Sequence, residues 1–239
     1  MNVFLILTVA LGAALVGRAA PATGQAGPAP EERIAALKQS LQENAKQLRQ
    51  YEWIETTITS LKGEEKSRKQ AQCYYGVDGK VQKVPVAAAP PPESGGGRRG
   101  GRIKQAVIEN KKEEMQEYMQ AAVSLVHQYV PPNPADIDKA KKASNVAARP
   151  LAAGGLRLEF NNYIKPGDQM NIDVDIATNR LLAVTVASYM EKPDDAVALA
   201  VQFARLPDGT NYTAQTTLDA PAKKVKVVVQ NTGYRPASR

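Results

Sequence analysis

The stretch Met170-Asn171-Ile172-Asp173-Val174-Asp175-Ile176 alternates apolar and polar side chains without a break. Successive side chains of a β-strand point to opposite faces, so this alternation predicts a strand with one buried and one solvated face. Thr178-Asn179 then supplies a turn, and Leu182, Val184 and Val186 continue the alternation in the next segment. The pair predicts two neighbouring antiparallel strands that share an apolar face.

The same alternation recurs on both sides of this pair, in residues 156–160, 197–203, 212–218 and 225–229. Short turns separate these segments, and Pro207-Asp208-Gly209 is the clearest of them. Pro, Asp and Gly favour turns because they fix φ, bond to nearby backbone or tolerate positive φ. The last third of the chain therefore predicts an antiparallel meander with one apolar face.

The first half of the chain alternates between helix and strand patterns. We expect a helix from 31 to about 50, strands at 51–59, 66–75 and 80–86, a long helix at 102–129 and a short one from 134 to about 146. Apolar side chains recur every three or four residues in the two long helices. Because helices must cover the apolar sheet face, the fold class is α+β, with an antiparallel sheet packed against an N-terminal helix and a long central helix.

The N-terminus predicts an export signal. Residues 3–16 form an uncharged apolar run whose helical length of about 21 Å falls short of the roughly 30 Å hydrocarbon core. Small residues follow at the spacing that signal peptidases accept, as in Ala20-Pro21-Ala22. We expect residues 1–26 to be a signal peptide and residues 27–239 to be a single domain. We further expect the mature protein to be periplasmic or secreted by a bacterium, without a stable transmembrane anchor.

A low-complexity segment interrupts the expected domain at about 87–102. It contains Pro90-Pro91-Pro92 and the basic run from Gly95 to Arg102, which superficially resembles an RNA-binding segment. No aromatic side chains are interleaved with it, and bases stack on such side chains in single-stranded nucleic-acid sites. The composition favours a disordered, solvated loop, and we expect no nucleic-acid partner even though the formal net charge is +7.

Few residues could carry catalysis or bind a metal. His127 is the only histidine, Cys73 is the only cysteine, and no serine lies in a Gly-x-Ser-x-Gly motif. Asn171, Asp173 and Asp175 share the polar face of one strand, where they could act as acid and base or bind calcium. The alternation alone accounts for them as a solvated strand face, which we favour. We expect no enzyme activity, no cofactor and no metal, and we expect Cys73 to be a buried, inert thiol.

Three segments of the chain together resemble the second half of LolA/LolB-type lipoprotein carriers and RseB-like regulators. They are Ile172-Asp173-Val174-Asp175-Ile176-Ala177-Thr178-Asn179, the strand at 197–203 and the turn Leu206-Pro207-Asp208-Gly209. Tyr51-Glu52-Trp53-Ile54-Glu55-Thr56-Thr57 is similar to their opening hairpin. The order of Asp-Gly-Lys, Pro-rich, Gly/Arg and long-helix segments also resembles exported bacterial proteins of this type. The resemblance covers about half the chain and implies an incomplete, curved β-barrel that cups helices and receives acyl chains on its apolar concave face.

Two functions are compatible with these patterns. The first is an exported, non-enzymatic binding protein that carries a lipid or a lipidated protein on the apolar concave sheet face. Its expected lining is Ile172, Val174, Ile176, Val184, Val186, Leu199, Val201 and Phe203. Packed core beneath the helices accounts for the same residues equally well. The second is a structural or regulatory cell-envelope module that binds another protein and no small ligand. Trp53 and the nine tyrosines are either core and sheet-surface residues or the lining of a groove.

Overall fold

The computed structural model describes residues 30–86, 102–129, 134–151 and 154–237. The expected signal peptide (1–26) lies outside the described residues, and so does the expected loop except for Arg102, which begins a helix. All statements about the structure below refer to the described residues.

Three α-helices lie at or near the expected places: α1 (Pro30–Leu48), α2 (Arg102–Tyr129) and α3 (Pro134–Lys142). The third is shorter than expected, because the chain turns at Ser144 with φ 56° and enters a strand at Val146. Left-handed backbone cannot continue a right-handed helix. The extension of this helix to about residue 146 was therefore wrong.

Ten strands form the sheet. They are β1 (Tyr51–Leu61), β2 (Glu64–Tyr75), β3 (Val81–Val86), β4 (Val146–Pro150), β5 (Gly155–Asn161), β6 (Gln169–Asp175), β7 (Arg180–Tyr189), β8 (Ala196–Arg205), β9 (Asn211–Ala220) and β10 (Val225–Pro236). Nine of them coincide with expected strands. The exception, β4, was missed because Val-Ala-Ala-Arg-Pro shows no alternation and has low strand propensity.

The strand order is β3-β2-β1-β10-β9-β8-β7-β6-β5-β4, and every described pair is antiparallel. The N-terminal and C-terminal meanders are joined into one sheet by β1, which pairs with β10 from Leu61 opposite Val225 to Tyr51 opposite Pro236. The sheet does not close into a barrel, since β3 and β4 are its free edges. The molecule is thus α+β, as expected.

These two edges are consecutive strands in the chain, so α2 and α3 lie in the connection that joins one side of the sheet to the other. Ten strands spaced by about 4.8 Å make a sheet roughly 43 Å wide. A helix with the 28 residues of α2 is about 42 Å long. The length of α2 therefore matches the distance that the connection has to cover.

The core lies on one face of the sheet, which we call the inner face. Cross-strand partners share a face, and the ladder Leu158–Ile172–Val184–Val201 places four apolar side chains on this one. The last turns of α2 contribute Ala122, Leu125 and Tyr129 to the same buried cluster. The opposite, outer face carries mainly polar side chains, among them Asn171, Thr185, Gln202 and Gln215.

Candidate ligand-binding face

The expected lining residues divide into two groups. Six of them are between 1% and 7% exposed and belong to the buried cluster that includes side chains of α2: Ile172, Val174, Val184, Val186, Leu199 and Val201. Phe203 is half-buried and packs against that cluster. Ile176 is 37% exposed and lies in the turn after β6, which ends at Asp175. On β6, β7 and β8 the inner face is thus occupied by the protein's own side chains.

A buried hydroxyl fixes the end of α2 to this part of the sheet. The Tyr129 hydroxyl donates to Asp168 Oδ2 at 2.6 Å and lies 2.7 Å from Ser188 Oγ. Asp168 is 2% exposed, and its carboxylate also accepts the backbone N–H groups of Ile164 and Lys165, both at 2.9 Å. Burial, followed by the hydrogen bond to Asp168, raises the pKa of Tyr129 above its ordinary value of 10.0. The carboxylate is therefore satisfied from several sides without a metal.

A second tyrosine holds α2 about three turns earlier in the helix. The Tyr118 hydroxyl donates to Asp195 Oδ1 at 2.7 Å in the turn between β7 and β8. The Lys223 ammonium lies 5.4 Å from the centre of the Tyr118 ring, close enough for a cation–π contact. Burial is the main cause that raises the pKa of Tyr118. Two separate contacts thus hold the C-terminal half of α2 over the core.

The inner face is less covered on β1, β9 and β10. There the cross-strand row Thr57–Val229–Thr216 and the neighbouring pair Thr59–Val227 are half-buried rather than buried. We call these five residues the half-open strip. The strip lies on the core face because Val227 is opposite Leu218, which is buried in the core cluster. The valine and threonine side chains of the half-open strip thus remain partly accessible to solvent, although they lie in the middle of the sheet.

An aromatic cluster lies on the same face toward the start of β1. The Trp53 ring stacks on Tyr234 with centroids 5.4 Å apart and planes 11° apart, and the Tyr75 ring centroid lies 5.6 Å from that of Trp53. Tyr212 approaches Tyr234 to 4.4 Å. The Trp53 indole N–H donates to Asn231 Oδ1 at 3.1 Å. Burial is the first cause of the raised pKa of both Tyr75 and Tyr234.

Residues on four separated segments make up this cluster, so single-segment periodicity could not predict it. The sequence offered only the composition of 51–53 and a general expectation that the aromatic residues could line a groove. The pairing of β1 with β10 brings Trp53 and Tyr234 together, and the pairing of β1 with β2 adds Tyr75. Stacked rings of this kind add about 0.5–1.5 kcal/mol beyond their buried area.

One ion pair and the cysteine complete this part of the inner face. Lys83 Nζ donates to both oxygens of Glu55, at 2.6 and 2.8 Å. Cys73 is opposite both Trp53 and Lys83 and is fully buried. Burial, and next the charge of Glu55, raises the pKa of the Cys73 thiol. The expectation of a buried thiol is confirmed, and a raised pKa disfavours the reactive thiolate.

The carboxylates singled out in the sequence have structural partners. Asp173 accepts two hydrogen bonds from Arg157, both at 2.7 Å, and Asp175 accepts one from Arg205 at 2.8 Å. The hydrogen bond from the Thr178 side chain is the first cause that lowers the pKa of Asp175. No group of three or more His, Cys, Asp or Glu residues arranged for a metal occurs in the parts of the chain that the structure describes. Arg157 and Arg205 are thus the basic neighbours of these carboxylates, while Asn171 Oδ1 is buried without a hydrogen-bond partner, and the interpretation as a solvated strand face stays a prediction.

A polar cleft of about 380 Å³ lies beside α1, at the end of the sheet that holds the β6–β7 turn. Its lining consists of Gln39, Ser40, Glu43, Asn44, Gln47, Asn179 and Arg180. Asn44 fixes α1 to β9 by donating to the carbonyl of Asn211 at 2.7 Å and accepting its N–H at 2.6 Å. This polar lining does not match the apolar ligand expected from the sequence.

Two further sequence expectations can be placed only in part. His127 lies in α2, and its side chain is outside the described residues. Within the described helices, none is both long enough and apolar enough to cross a membrane.

The chain is similar to several solved structures, of which three are described. The chain is similar to a DUF1329 family protein from Desulfovibrio piger ATCC 29098, with 13% identity and a TM-score of 0.43 over 85% of this chain and 92% of that one. It is similar to the LolA superfamily protein NE2245 from Nitrosomonas europaea, with 10% identity and a TM-score of 0.36 over 84% and 94%. It is also similar to MucB in complex with MucA(peri), with 11% identity and a TM-score of 0.20 over 87% and 99%.

One of these neighbours is thus a LolA superfamily protein, the type of protein that the sequence resembles. No family model matches the chain, and no curated protein matches it. With every TM-score at 0.43 or lower, none of the three neighbours assigns a role to a residue of this chain. The candidate site consequently depends on the geometry of this molecule alone.

Proposed function

We propose that this chain is an exported, non-enzymatic binding protein of the bacterial envelope that holds an apolar ligand on the inner face of its sheet. The observation that carries the proposal is the half-open strip, which continues the buried core but is not covered to the same degree. The ligand class is a lipid or the lipid chain of a lipidated protein. Ligand sites of this kind are mostly apolar, with a few polar groups that fix orientation.

The burial gradient across the inner face supports the position of the site. Side chains on β6, β7 and β8 are sealed by α2, which Tyr118 and Tyr129 hold in place. Thr57, Val229 and Thr216 lie on the same face but keep part of their surface accessible. An aliphatic chain along this row would remove about 25 cal/mol of unfavourable hydration per Å² of apolar surface that it covers.

The groups at the end of the strip suit the polar part of such a ligand. The aromatic cluster around Trp53 offers flat apolar walls, and the Glu55–Lys83 ion pair offers one ammonium and one carboxylate nearby. Lys83 is the more exposed partner, and a headgroup can therefore reach its ammonium. Ile172, Val184 and Val201 belong to the buried cluster with α2, so they would line the site only if α2 side chains moved away from them.

One comparison of variants tests the position of the site. Val229→Phe fills the half-open strip, whereas Val228→Phe places the same side chain on the outer face of the same strand. We expect Val229→Phe to lower the affinity for a fluorescent fatty acid at least tenfold and Val228→Phe to leave it within twofold. Equal affinities for the two variants would refute the strip as the site. Native mass spectrometry of protein purified from its own envelope should show a co-purifying lipid.

The second candidate function is a regulatory or structural envelope module that binds another protein. The observation that favours it is an exposed apolar row on the outer face, formed by Tyr74, Val84 and Val86 beside the free edge strand β3. Val84→Glu separates the two functions, because it places a charge in this row and leaves the inner face intact. Loss of capture of a protein partner in Val84→Glu, together with no fatty-acid binding by the unchanged protein, would support the second function over the first.

A further inference from the structure

Two tight turns meet at the end of the sheet opposite α1. The Lys62 N–H in the β1–β2 turn donates to the carbonyl of Lys224 in the β9–β10 turn at 2.7 Å. Both lysines adopt left-handed backbone, with φ 55° at Lys62 and 54° at Lys224. A rigid backbone contact thus places two exposed lysines next to each other.

Neither backbone position favours lysine. Lys62 and Gly63 both have positive φ in a two-residue hairpin loop, a geometry in which Asn-Gly is the preferred pair. Lys224 follows the short 3-10 helix Pro221–Lys223 as its left-handed cap, a position at which glycine or asparagine is usual. Backbone conformation alone would favour other residues at both positions, so it does not account for lysine at either of them.

The side chains supply positive charge that the surrounding structure offsets only in part. The pKa of Glu64 on β2 is lowered mainly by the hydrogen bond from Lys66, and the charge of Lys62 makes a smaller contribution. Neighbouring cations on β2 are paired, Lys66 with Glu64 and Arg68 with Glu65. Lys62 and Lys224 form no ion pair with a described residue, and Lys223 next to them lies over the ring of Tyr118. We call Lys62, Lys223 and Lys224 the basic end.

We infer that the basic end docks the protein on a membrane surface that carries anionic lipid headgroups. The inference rests on the proposed function in one respect, since a protein that carries lipid must exchange it with a membrane. Two neighbouring exposed lysines that form no ion pair with a described residue complement a negative surface. Each lysine near such a surface strengthens binding roughly fivefold. Removing two of them should weaken binding roughly twenty- to thirtyfold.

The test uses the full chain with vesicles of phosphatidylcholine that contain about a quarter phosphatidylglycerol, compared with pure phosphatidylcholine vesicles. The test variant is Lys62→Asn/Lys224→Asn, because asparagine tolerates left-handed backbone and removes only the charge. The matched control is Lys141→Asn/Lys142→Asn, which makes the same charge change at the end of α3. Lys62→Arg/Lys224→Arg retains the charge.

We expect the test variant to lose twenty- to thirtyfold in binding to the anionic vesicles while its Tm rises by about 2 °C, because the backbone strain is relieved. The control and the arginine variant should bind within twofold of the unchanged protein. The raised Tm excludes misfolding as the cause of lost binding. Equal loss in the control, or unchanged binding by the test variant, would overturn the inference.

Two additional readouts distinguish membrane docking from a general attraction to polyanions and from the binding of fatty acid. Binding of a heparin fragment as tight as binding of the anionic vesicles would indicate a general polyanion site and would also overturn the inference. Fatty-acid binding without vesicles should be unaffected in Lys62→Asn/Lys224→Asn. If the unchanged protein binds no fatty acid but still requires both lysines on vesicles, the proposed function fails and the docking surface stands.

Discussion

Trp53 and Tyr234 stack nearly parallel across the pair formed by the first and the last strand of the chain, with ring centroids 5.4 Å apart. Their contact ties the N-terminal meander to the C-terminal one. Trp53 is also the only tryptophan, so its fluorescence reports on this junction.

Truncating Tyr234 should therefore weaken the junction. We expect Tyr234→Ala to lower the free energy of unfolding by about 2–4 kcal/mol, because it removes buried ring surface and its stacking partners. Urea unfolding followed by circular dichroism measures this. Tyr74→Ala on the outer face is the matched control, with an expected cost of about 0.5 kcal/mol or less. Similar costs for the two variants would contradict the packing of the cluster.

The bond from Tyr129 to Asp168 should be the more important anchor of α2. We expect Tyr129→Phe to cost about 1–3 kcal/mol, since it leaves the buried Asp168 carboxylate and Ser188 without their shared hydroxyl. Tyr118→Phe should cost less, because Asp195 lies in a surface turn that water reaches. Thermal and urea unfolding of both variants give the comparison, and the reverse order would contradict it.

Stability should fall in alkaline solution. Burial raises the folded-state pKa of Tyr118, Tyr129 and Tyr234 above 10.0. Their contribution to the free energy of unfolding is therefore complete below the pKa of an unfolded tyrosine. It is lost as the pH rises from that value through the folded-state pKa. The free energy of unfolding, measured by urea at several pH values between about 8 and about 11, gives the slope of stability against pH. Tyr234→Phe keeps the ring and should reduce that slope, and an unchanged slope would argue against a buried phenol at this position.

Calcium should not stabilise the polar face of β6. Asp173 is paired with Arg157, and Asp175 with Arg205, so neither carboxylate is free for a cation. We expect no shift of Tm when calcium is added, and a change of about 1 kcal/mol or less for Asp173→Asn. A calcium-dependent rise in Tm that Asp173→Asn removes would restore the metal-binding alternative.

The sequence predicted most elements because their signals are local. Alternation located β6, β7 and β8, and the periodicity of apolar residues located α1. The lack of alternation hid β4. The pairing of β1 with β10 depends on contacts between distant segments, for which a single sequence contains no local pattern.

The candidate site was only partly predictable for the same reason. Alternation identified which residues share the apolar face, but it could not show which of them α2 covers. Ile172 and Val184 follow the same pattern as Val227 and Val229, yet only the first two are sealed. The sealed residues share a buried cluster with Ala122, Leu125 and Tyr129 of α2, which lie far from them in the sequence.

The partnership of β1 with β10 also determines when the protein can finish folding. During synthesis β1 emerges before the other described strands, and one of its two neighbours, β10, follows all of them. Until that strand arrives, one side of β1 has unsatisfied backbone hydrogen-bonding groups, and Trp53 has no Tyr234 to stack on. Because β1 gains its second neighbour only when β10 has been made, the junction between the two meanders forms late, after long-range pairing becomes possible.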